Sequence, residues 1–224
     1  MANIIETRGL TKEYQDGDSK VLALDNISIA LPEKENMVII GTSGSGKTTL
    51  LQLLGGLDYP TSGEVIINKQ PINKLDDNKL SSFRNKTIGF VFQFFNLQDY
   101  LTARENIALP LLLDGQSQEK AFKRAEDLLK QINLEHRTNH TPAMMSGGEM
   151  QRVAIARAMA NNPKIIMADE PTGNLDKTNA ENILELFDEI AKKQGVSILM
   201  ITHDESMARR YKNVLHLYKG KLKK

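Results

Sequence analysis

The sequence has no cysteine among its 224 residues and no apolar run long enough to cross a membrane. Without cysteine, the chain cannot form disulfides, thiolate metal sites or cysteine nucleophiles, so any bound metal is expected to have oxygen ligands. A helix that spans a bilayer needs about 20 mainly apolar residues. Residues 1–6 also lack the charged and apolar regions of a signal peptide, so we expect a cytoplasmic protein.

A strong excess of charge is absent as well. The formal net charge is +1, which gives no general attraction to nucleic acid, and we expect no nucleic-acid partner. Hydrophobic residues at 40% and charged residues at 25% are ordinary for a globular protein. The length suits a single domain of residues 1–224, built as one core or as a core with a subdomain. Chemistry and partners must therefore be inferred from motifs.

The clearest motif is a glycine-rich stretch that matches the phosphate-binding pattern GxxxxGK followed by Ser or Thr. Its residues are Gly41, Thr42, Ser43, Gly44, Ser45, Gly46, Lys47, Thr48 and Thr49. The apolar run 37–40 before it predicts a buried strand, and Leu50, Leu53, Leu54 and Leu57 after it have helical spacing. An ordinary glycine-rich turn with a helix cap is the alternative, but strand, full motif and helix together favour a nucleoside triphosphate site.

The spacing of this motif assigns each residue type a task. We expect Gly41, Gly44 and Gly46 to adopt backbone angles barred to other residues and to turn N–H groups inward at the positive end of the helix. Lys47 would supply a mobile positive charge for the outer phosphates. The hydroxyl of Thr48 would bind the magnesium ion that bridges them.

A tyrosine precedes this motif in a polar segment. Residues 4–7 and 27–31 are predicted strands, and residues 12–18 between them are predicted to form a loop that holds Tyr14. An aromatic ring there could stack on a nucleotide base, with weak selectivity between bases. From spacing alone, a half-buried loop tyrosine is the simpler interpretation.

Polar residues follow three further predicted strands, 88–92, 165–168 and 196–202. The first leads into Gln93, the second into Asp169 and Glu170, and the third into His203. Ligands bind at the carboxyl ends of strands in open α/β sheets, where Asp169 can hold magnesium through water and Glu170 can polarise the attacking water. A helix cap or an ordinary loop pair is the alternative for the carboxylates. His203 could donate to a terminal phosphate, although a lone histidine is more often structural.

The segment between Gln93 and Asp169 has helical character. Residues 76–84 before it predict a surface helix, and residues 101–141 carry a helical apolar stripe, which we interpret as packing within a helical subdomain. The tetrapeptide Ser146, Gly147, Gly148 and Glu149 then opens a helix rich in small residues. A serine and two glycines at a helix start form a second potential anion site, although one triphosphate needs only one.

The last part of the chain predicts a helix, two strands and a tail. Ile183, Leu186, Phe187 and Ile190 form the expected buried stripe of the helix, which precedes the strand 196–202. Residues 214–217 predict the final strand, followed by a turn at Lys219 and Gly220 and by a basic tail.

Taken together, these motifs resemble the nucleotide-binding subunit of ATP-binding cassette (ABC) transporters over nearly the whole chain. The resemblance implies an α/β fold: a P-loop NTPase core with a mostly parallel sheet, an N-terminal antiparallel β subdomain and an inserted helical subdomain. It assigns residues 1–93 and 161–224 to the core with its β subdomain, and residues 94–160 to the helical subdomain with the signature motif.

The resemblance also implies a role for each site residue. Residues 41–48 would be the Walker A loop, Gln93 the Q-loop, residues 146–149 the signature, residues 165–169 Walker B and residues 174–176 the D-loop. Glu170 would be the catalytic glutamate, His203 the switch histidine and Tyr14 the residue stacked on adenine. Thr48, Gln93 and Asp169 would surround Mg²⁺. ATP and Mg²⁺ are the implied cofactors.

Within this family, residues 89–97, 103–107 and 168–176 are similar to the MacB/LolD branch, which serves macrolide and peptide exporters and lipoprotein-releasing complexes. Three residues depart from the usual pattern: Thr42 replaces proline, Met145 replaces leucine and Met150 replaces glutamine. None of them removes a phosphate-binding, magnesium-binding or catalytic group.

The expected assembly is a head-to-tail homodimer in the ATP-bound state, in which the signature of one copy closes over ATP held by the other. The expected partners are ABC permease membrane subunits, so the chain would lie at the inner face of the cell membrane and energise export or release of a substrate. Phe94, Phe95 and the helical subdomain would pass movement to those subunits. One alternative is force transmission to a membrane partner without transport, as in cell-division relatives. Another is a cassette ATPase in DNA repair or translation, which usually carries a coiled-coil insertion or tandem cassettes.

Overall fold

The computed structural model describes residues 2–17 and 19–223. The strands are β1 (Asn3–Asp16), β2 (Ser19–Ile27), β3 (Ala30–Pro32), β4 (Asn36–Ile40), β5 (Ser62–Ile67), β6 (Gln70–Pro71), β7 (Ile88–Val91), β8 (Ile165–Asp169), β9 (Ser197–Thr202), β10 (Asn213–Tyr218) and β11 (Lys221–Lys223). The α-helices are α1 (Lys47–Leu54), α2 (Asp77–Thr87), α3 (Ala103–Leu113), α4 (Gln118–Gln131), α5 (Gly147–Met159), α6 (Lys177–Gln194) and α7 (Met207–Arg210).

The larger sheet has the strand order β11, β10, β4, β9, β8, β7. Its strands pair in parallel, except that β11 is antiparallel to β10. The predicted α/β fold is therefore confirmed. The predicted basic tail is wrong, because Lys221–Lys223 folds back as β11 and pairs with β10. Leu222 is the one apolar residue of this three-residue strand, which is too short to show an alternation that would reveal an edge strand in the sequence.

The N-terminal residues form an antiparallel sheet with the order β2, β1, β5, β6, and β3 also pairs with β1. The predicted strand 4–7 is the beginning of a strand that continues to residue 16, so Tyr14 lies on a strand and the predicted loop is wrong. Residue 18 of that expected loop lies outside the described residues. The polar sequence of this hairpin has no alternation that would indicate a strand.

The predicted strand 27–31 is divided, since β2 ends at Ile27 and β3 begins at Ala30. The buried hydroxyl of Thr7 fills the gap between them. Its Oγ1 donates to Ile27 O at 3.0 Å and accepts from Ile29 N at 2.9 Å. The break therefore leaves no unpaired backbone group at these two positions, although the residue types alone read as one continuous strand.

Both faces of the larger sheet are covered, because side chains of a strand alternate between its two faces. Met37 and Ile39 of β4 belong to an apolar cluster with the N-terminal sheet, α1 and α2. Val38 and Ile40 belong to a second cluster with helices α3 to α6. The near-continuous apolar runs predicted as buried strands are explained by this two-sided burial.

The predicted helices are present with shifted ends. Leu50, Leu53 and Leu54 are buried in α1, whereas Leu57 lies beyond the end of the helix and is exposed. Helices α3, α4 and α5 follow β7 and precede β8. The division at residues 94 and 160 stays a prediction. None of the helices in the described residues is long and apolar enough to span a membrane.

A substitution at Phe187 of α6 can test how much the apolar cluster between the larger sheet and helices α3 to α6 stabilises the fold. Its side chain is fully buried there. We expect Phe187→Ala to lower the free energy of unfolding by about 3–5 kcal/mol, measured by denaturant titration, because the cavity left behind loses its packing contacts. The matched control is Tyr100→Ala, which removes an exposed ring and should change stability by no more than about 0.5 kcal/mol. Equal effects of the two variants would contradict this account of the core.

Candidate functional site

The glycine-rich loop runs from the end of β4 to the start of α1. Gly44 and Gly46 have φ of +74° and +101°, which a side chain would strongly disfavour. The expectation that Gly41 needs backbone angles barred to other residues is wrong, because Gly41 is not among the residues with a positive φ. A methyl group at Gly41 would instead lie 2.5 Å from both Leu217 O and Ser45 Oγ, so close approach to β10 requires the glycine there.

The start of α1 suits an anion. Gly46 is the N-cap, and no side chain caps the helix, so the N–H groups of the first turn have no capping partner. In the described part of the chain, the buried hydroxyl of Ser45 also has no hydrogen-bond partner. Unpaired donors at the positive end of a helix are the groups that hold phosphate.

Lys47 is buried at 7% exposure and reaches back over this loop. Its Nζ donates to Gly41 O at 2.8 Å and to Thr42 O at 3.1 Å. The same nitrogen lies 3.8 Å from Glu170 Oε1. The lysine charge therefore lies between the loop and a carboxylate delivered by β8.

Asp169 ends β8, and Glu170 follows it with φ of +45°, a left-handed conformation that is uncommon for residues other than glycine. The conformation is held by the Glu170 N–H, which donates to Ile201 O at 2.9 Å. His203 Nδ1 is hydrogen bonded to Glu170 Oε2. One carboxylate therefore contacts both Lys47 and His203, which come from different ends of the sequence. Strained backbone of this kind often occurs at functional sites.

The Asp169 side chain faces Thr48, whose Oγ1 donates to Asp169 Oδ2 at 3.5 Å. Burial, followed by the nearby charge of Glu170, raises the pKa of Asp169. No group of three or more histidine, cysteine or acidic side chains in the described residues forms a metal cluster. Mg²⁺ does not need one, because it is commonly held by one or two carboxylates together with phosphate oxygens and water. A hydroxyl and a carboxylate beside a phosphate loop fit that ligand set.

Gln93 follows β7 but makes no hydrogen bond to Thr48 or Asp169. Its carbonyl accepts from Asn174 Nδ2 at 2.9 Å, and its Nε2 donates to Asn174 Oδ1 at 3.5 Å. The structure thus brings Gln93 to the loop after Glu170. A part for Gln93 in magnesium binding stays a prediction.

Tyr14 contacts the segment that follows α1, because its hydroxyl donates to Asp58 Oδ2 at 2.9 Å. Lys12 Nζ lies 4.8 Å from the centre of the ring and donates to Asp58 Oδ1 at 2.8 Å. Burial, followed by the Asp58 hydrogen bond, raises the pKa of Tyr14. The sequence analysis missed Lys12 and Asp58, and no motif marks either of them.

Residues 146–149 lie at the start of α5. Their hydrogen bonds among the described residues do not involve the glycine-rich loop of the same chain. Ser146 Oγ accepts from Glu149 N at 3.3 Å, and Glu149 Oε2 accepts from Ser146 N at 2.8 Å, which forms a capping box. Glu149 Oε1 also accepts from Arg137 Nε at 2.8 Å. Within residues 2–17 and 19–223, no hydrogen bond joins the tetrapeptide to residues 41–49. The sequence analysis did not single out Arg137.

Solved structures of known proteins resemble this fold along its length. The cassette MJ0796, in a dimeric post-hydrolysis state bound to ADP and Pi, is 43% identical and matches with a TM-score of 0.90, covering 98% of this chain and 97% of that chain. Another dimeric structure of MJ0796, a bacterial ABC transporter cassette, is 44% identical with the same TM-score of 0.90 and the same coverage. The protein cbiO1 from Clostridium perfringens, part of the ABC transporter complex cbiONQ, is 28% identical with a TM-score of 0.89, covering 100% of this chain and 88% of that chain.

The sequence also matches a known family directly. Residues 24–173, which are more than half of the chain, match the family described as ABC transporter. This match includes the glycine-rich loop, residues 146–149 and the two carboxylates after β8. The chain therefore belongs to the ABC transporter family and is an ATP-binding cassette with ATPase activity.

Proposed function

We propose that this chain is the ATP-hydrolysing subunit of a transporter, and that residues 41–49, Asp169, Glu170 and His203 form its half of the hydrolysis site. The observation that carries the proposal is the convergence on Glu170. Its two carboxylate oxygens lie against Lys47 and His203, beside a loop built to hold phosphate.

These contacts suggest a division of tasks in hydrolysis. Glu170 accepts a proton from the attacking water, which then bonds to the terminal phosphorus while the bond to the ADP oxygen breaks. Lys47 balances charge on the outer phosphates. His203, with 64% of its side chain exposed, is free to turn from Glu170 and donate to the terminal phosphate. Thr48, Asp169 and Gln93 would hold Mg²⁺, which would neutralise charge on the phosphates.

The second anion site supports a dimer. The tetrapeptide 146–149 has its own capping box and no hydrogen bond to the phosphate loop of the same chain within the described residues. We infer that it closes over ATP held by a second copy, in a head-to-tail dimer. The similar cassette MJ0796 has been solved as a dimer, which supports this inference. ATP then bridges the copies, and its hydrolysis removes the bridge, which couples chemistry to movement.

A groove beside α2, β7 and α3 supports a membrane partner. It has a volume of about 730 Å³, and Leu57, Phe92, Leu109 and Leu113 are among its lining residues. Leu113 is 76% exposed. Phe94, nearby in the sequence, is 72% exposed. The next residue, Phe95, is less exposed and is half-buried. We propose that permease subunits dock here and hold the chain at the inner face of the membrane, since cbiO1 is part of a transporter complex.

The finer placement in the MacB/LolD branch rests on residues 89–97, 103–107 and 168–176. We propose export or release of a substrate through separate membrane subunits, with force transmission without transport as the alternative. The experiment is to identify the membrane protein that co-purifies with the chain and to compare ATP turnover with and without it. Substrate movement by the reconstituted pair supports transport, and stimulated turnover without movement favours the alternative.

We expect Glu170→Gln to bind ATP, accumulate as a dimer and lose turnover by about 100-fold or more, because the group that accepts the proton is gone. Size-exclusion chromatography with ATP and a phosphate-release assay measure the two effects. Glu185→Gln removes an exposed carboxylate of α6 and should behave as wild type. A Glu170→Gln variant that stays monomeric with ATP would rule out the dimer.

Lys47→Ala should fail at an earlier step, the tight binding of nucleotide. The variant removes a buried charge that contacts the loop carbonyls, so ATP affinity measured by titration should fall by more than about tenfold. Lys164→Ala is the control, because that lysine is exposed and distant in sequence from the loop. Unchanged ATP affinity of Lys47→Ala would show that Lys47 has another role.

Tyr14→Ala should weaken ATP binding by about 1–3 kcal/mol, since stacking of a base on an aromatic ring contributes that much. The loss should be similar for GTP, because stacking discriminates weakly between bases. Tyr14→Phe is the matched control: it keeps the ring and removes only the hydroxyl that contacts Asp58. If Tyr14→Ala bound ATP as tightly as wild type in a titration, the stacking role would be incorrect.

A further inference from the structure

Arg157 has no part in the motifs, yet it contacts the loop that carries Gln93. Its Nη2 donates to Phe95 O at 2.8 Å, and its Nη1 donates to Asn96 O. No carboxylate within residues 2–17 and 19–223 forms an ion pair with it. Burial lowers the pKa of this guanidinium, so two main-chain carbonyls are what compensates its charge.

The two carbonyls belong to a strained turn. Phe95 and Asn96 have φ of +60° and +50°, a conformation that phenylalanine in particular rarely adopts. Phe95 N donates to Phe92 O at 3.1 Å, which closes the turn around Gln93. An arginine fork that binds both carbonyls at once fixes the direction of each peptide, and so fixes this turn.

The turn also contacts the start of α5. A methyl group at Gly147 would lie 3.8 Å from Phe95 Cζ and 3.5 Å from Leu175 Cδ2, so the Phe95 ring lies close to the tetrapeptide 146–149. Arg157 is near the other end of the same helix. The Gln93 loop therefore lies beside α5 at two places, near the beginning at the Phe95 ring and towards the end at Arg157, which holds it by hydrogen bonds.

A second side chain of α5 reaches the loop after Glu170. Gln151 is fully buried, and its Nε2 donates to Pro171 O at 2.8 Å. Helix α5 thus holds both loops that lead into the hydrolysis site of its own chain. Gln151 and Arg157 are six residues apart on one 13-residue helix, about 9 Å along its axis, so a displacement of the helix would act on both contacts.

We propose that Arg157 is a positioning residue that sets the Gln93 loop for hydrolysis and makes it move together with residues 146–149. This inference rests on the proposed function, because it links the tetrapeptide that closes over one ATP to the Gln93 loop beside the other. Arg157 itself touches no nucleotide and acts through the Phe95 and Asn96 carbonyls.

The first test is Arg157→Lys, which keeps the charge but replaces the planar fork with a single ammonium nitrogen, so the two carbonyls are no longer bound by separate nitrogens in a fixed geometry. We expect kcat to fall about 10- to 100-fold, as small misplacements of a reacting group do, with ATP affinity changed by less than about twofold. The matched control is Arg124→Lys. Arg124 of α4 is also partly buried, and its guanidinium also donates to main-chain carbonyls, those of Met159 and Ala160, but not to the Gln93 loop.

Thermal unfolding of both variants separates positioning from stability. Similar losses of stability with a loss of kcat confined to Arg157→Lys support the proposal. An unchanged kcat in Arg157→Lys, or an equal loss of kcat in Arg124→Lys, overturns it.

A pair of variants at Asn96 tests the turn without altering Arg157, in case Arg157→Lys does not fold. Asn96 is exposed, and its side chain makes no hydrogen bond to Arg157, which binds its carbonyl. Asn96→Gly tolerates a positive φ and should keep kcat within about twofold. Asn96→Val disfavours a positive φ and should lower kcat as Arg157→Lys does. Full activity of Asn96→Val would show that the turn is not needed.

The Glu170→Gln background separates the two proposals. Failure of Glu170→Gln to dimerise with ATP rejects the proposed function. If Glu170→Gln and its combination with Arg157→Lys both dimerise with ATP, but Arg157→Lys alone keeps the wild-type kcat, only the present inference is rejected.

Discussion

The register of three parallel strands determines the geometry on which the site depends. Ile40 is paired with Thr202, and Asp169 is paired with Ile201, so the chain leaves β4, β8 and β9 at one level. The glycine-rich loop, Glu170 and His203 follow at once. A shift of two residues in any pairing would move one of these groups by about 6.6 Å, beyond the reach of a hydrogen bond. Burial of the sheet on both faces fixes that register, because apolar side chains occupy each face.

Lys47, Glu170 and His203 at this edge each contact a side chain from another element. Lys47 of α1 lies between two loop carbonyls and Glu170, and Glu170 also contacts His203. Asp169 has a raised pKa because it is buried beside a second carboxylate. Under the proposed function, phosphates would complete the partners of Lys47, and a divalent ion would compensate the charge of Asp169.

Helix α5 connects the tetrapeptide 146–149 with the loop after Glu170 and the turn after Gln93. It begins at the tetrapeptide 146–149, contacts Pro171 through Gln151, and contacts the turn after Gln93 through Arg157. Both contacts are made by polar side chains to main-chain carbonyls. Breaking either contact would leave a buried donor without a partner, which costs free energy. Movement of the helix together with the loops therefore costs less than their separation.

The sequence by itself determined the phosphate loop, the buried strands and the order of the polar residues that follow them, because these signals are local and depend on residue type and spacing. The match of residues 24–173 to the ABC transporter family confirms the class of protein inferred from them. The polar strands around Tyr14 and at residues 221–223 were missed, since no apolar alternation marks them. Only the tertiary structure decided that Glu170 contacts Lys47, that Asp58 contacts Tyr14 and that Arg157 contacts the turn after Gln93. Such contacts join residues far apart in the chain, and their geometry is set by strand register and helix packing, which no local pattern encodes.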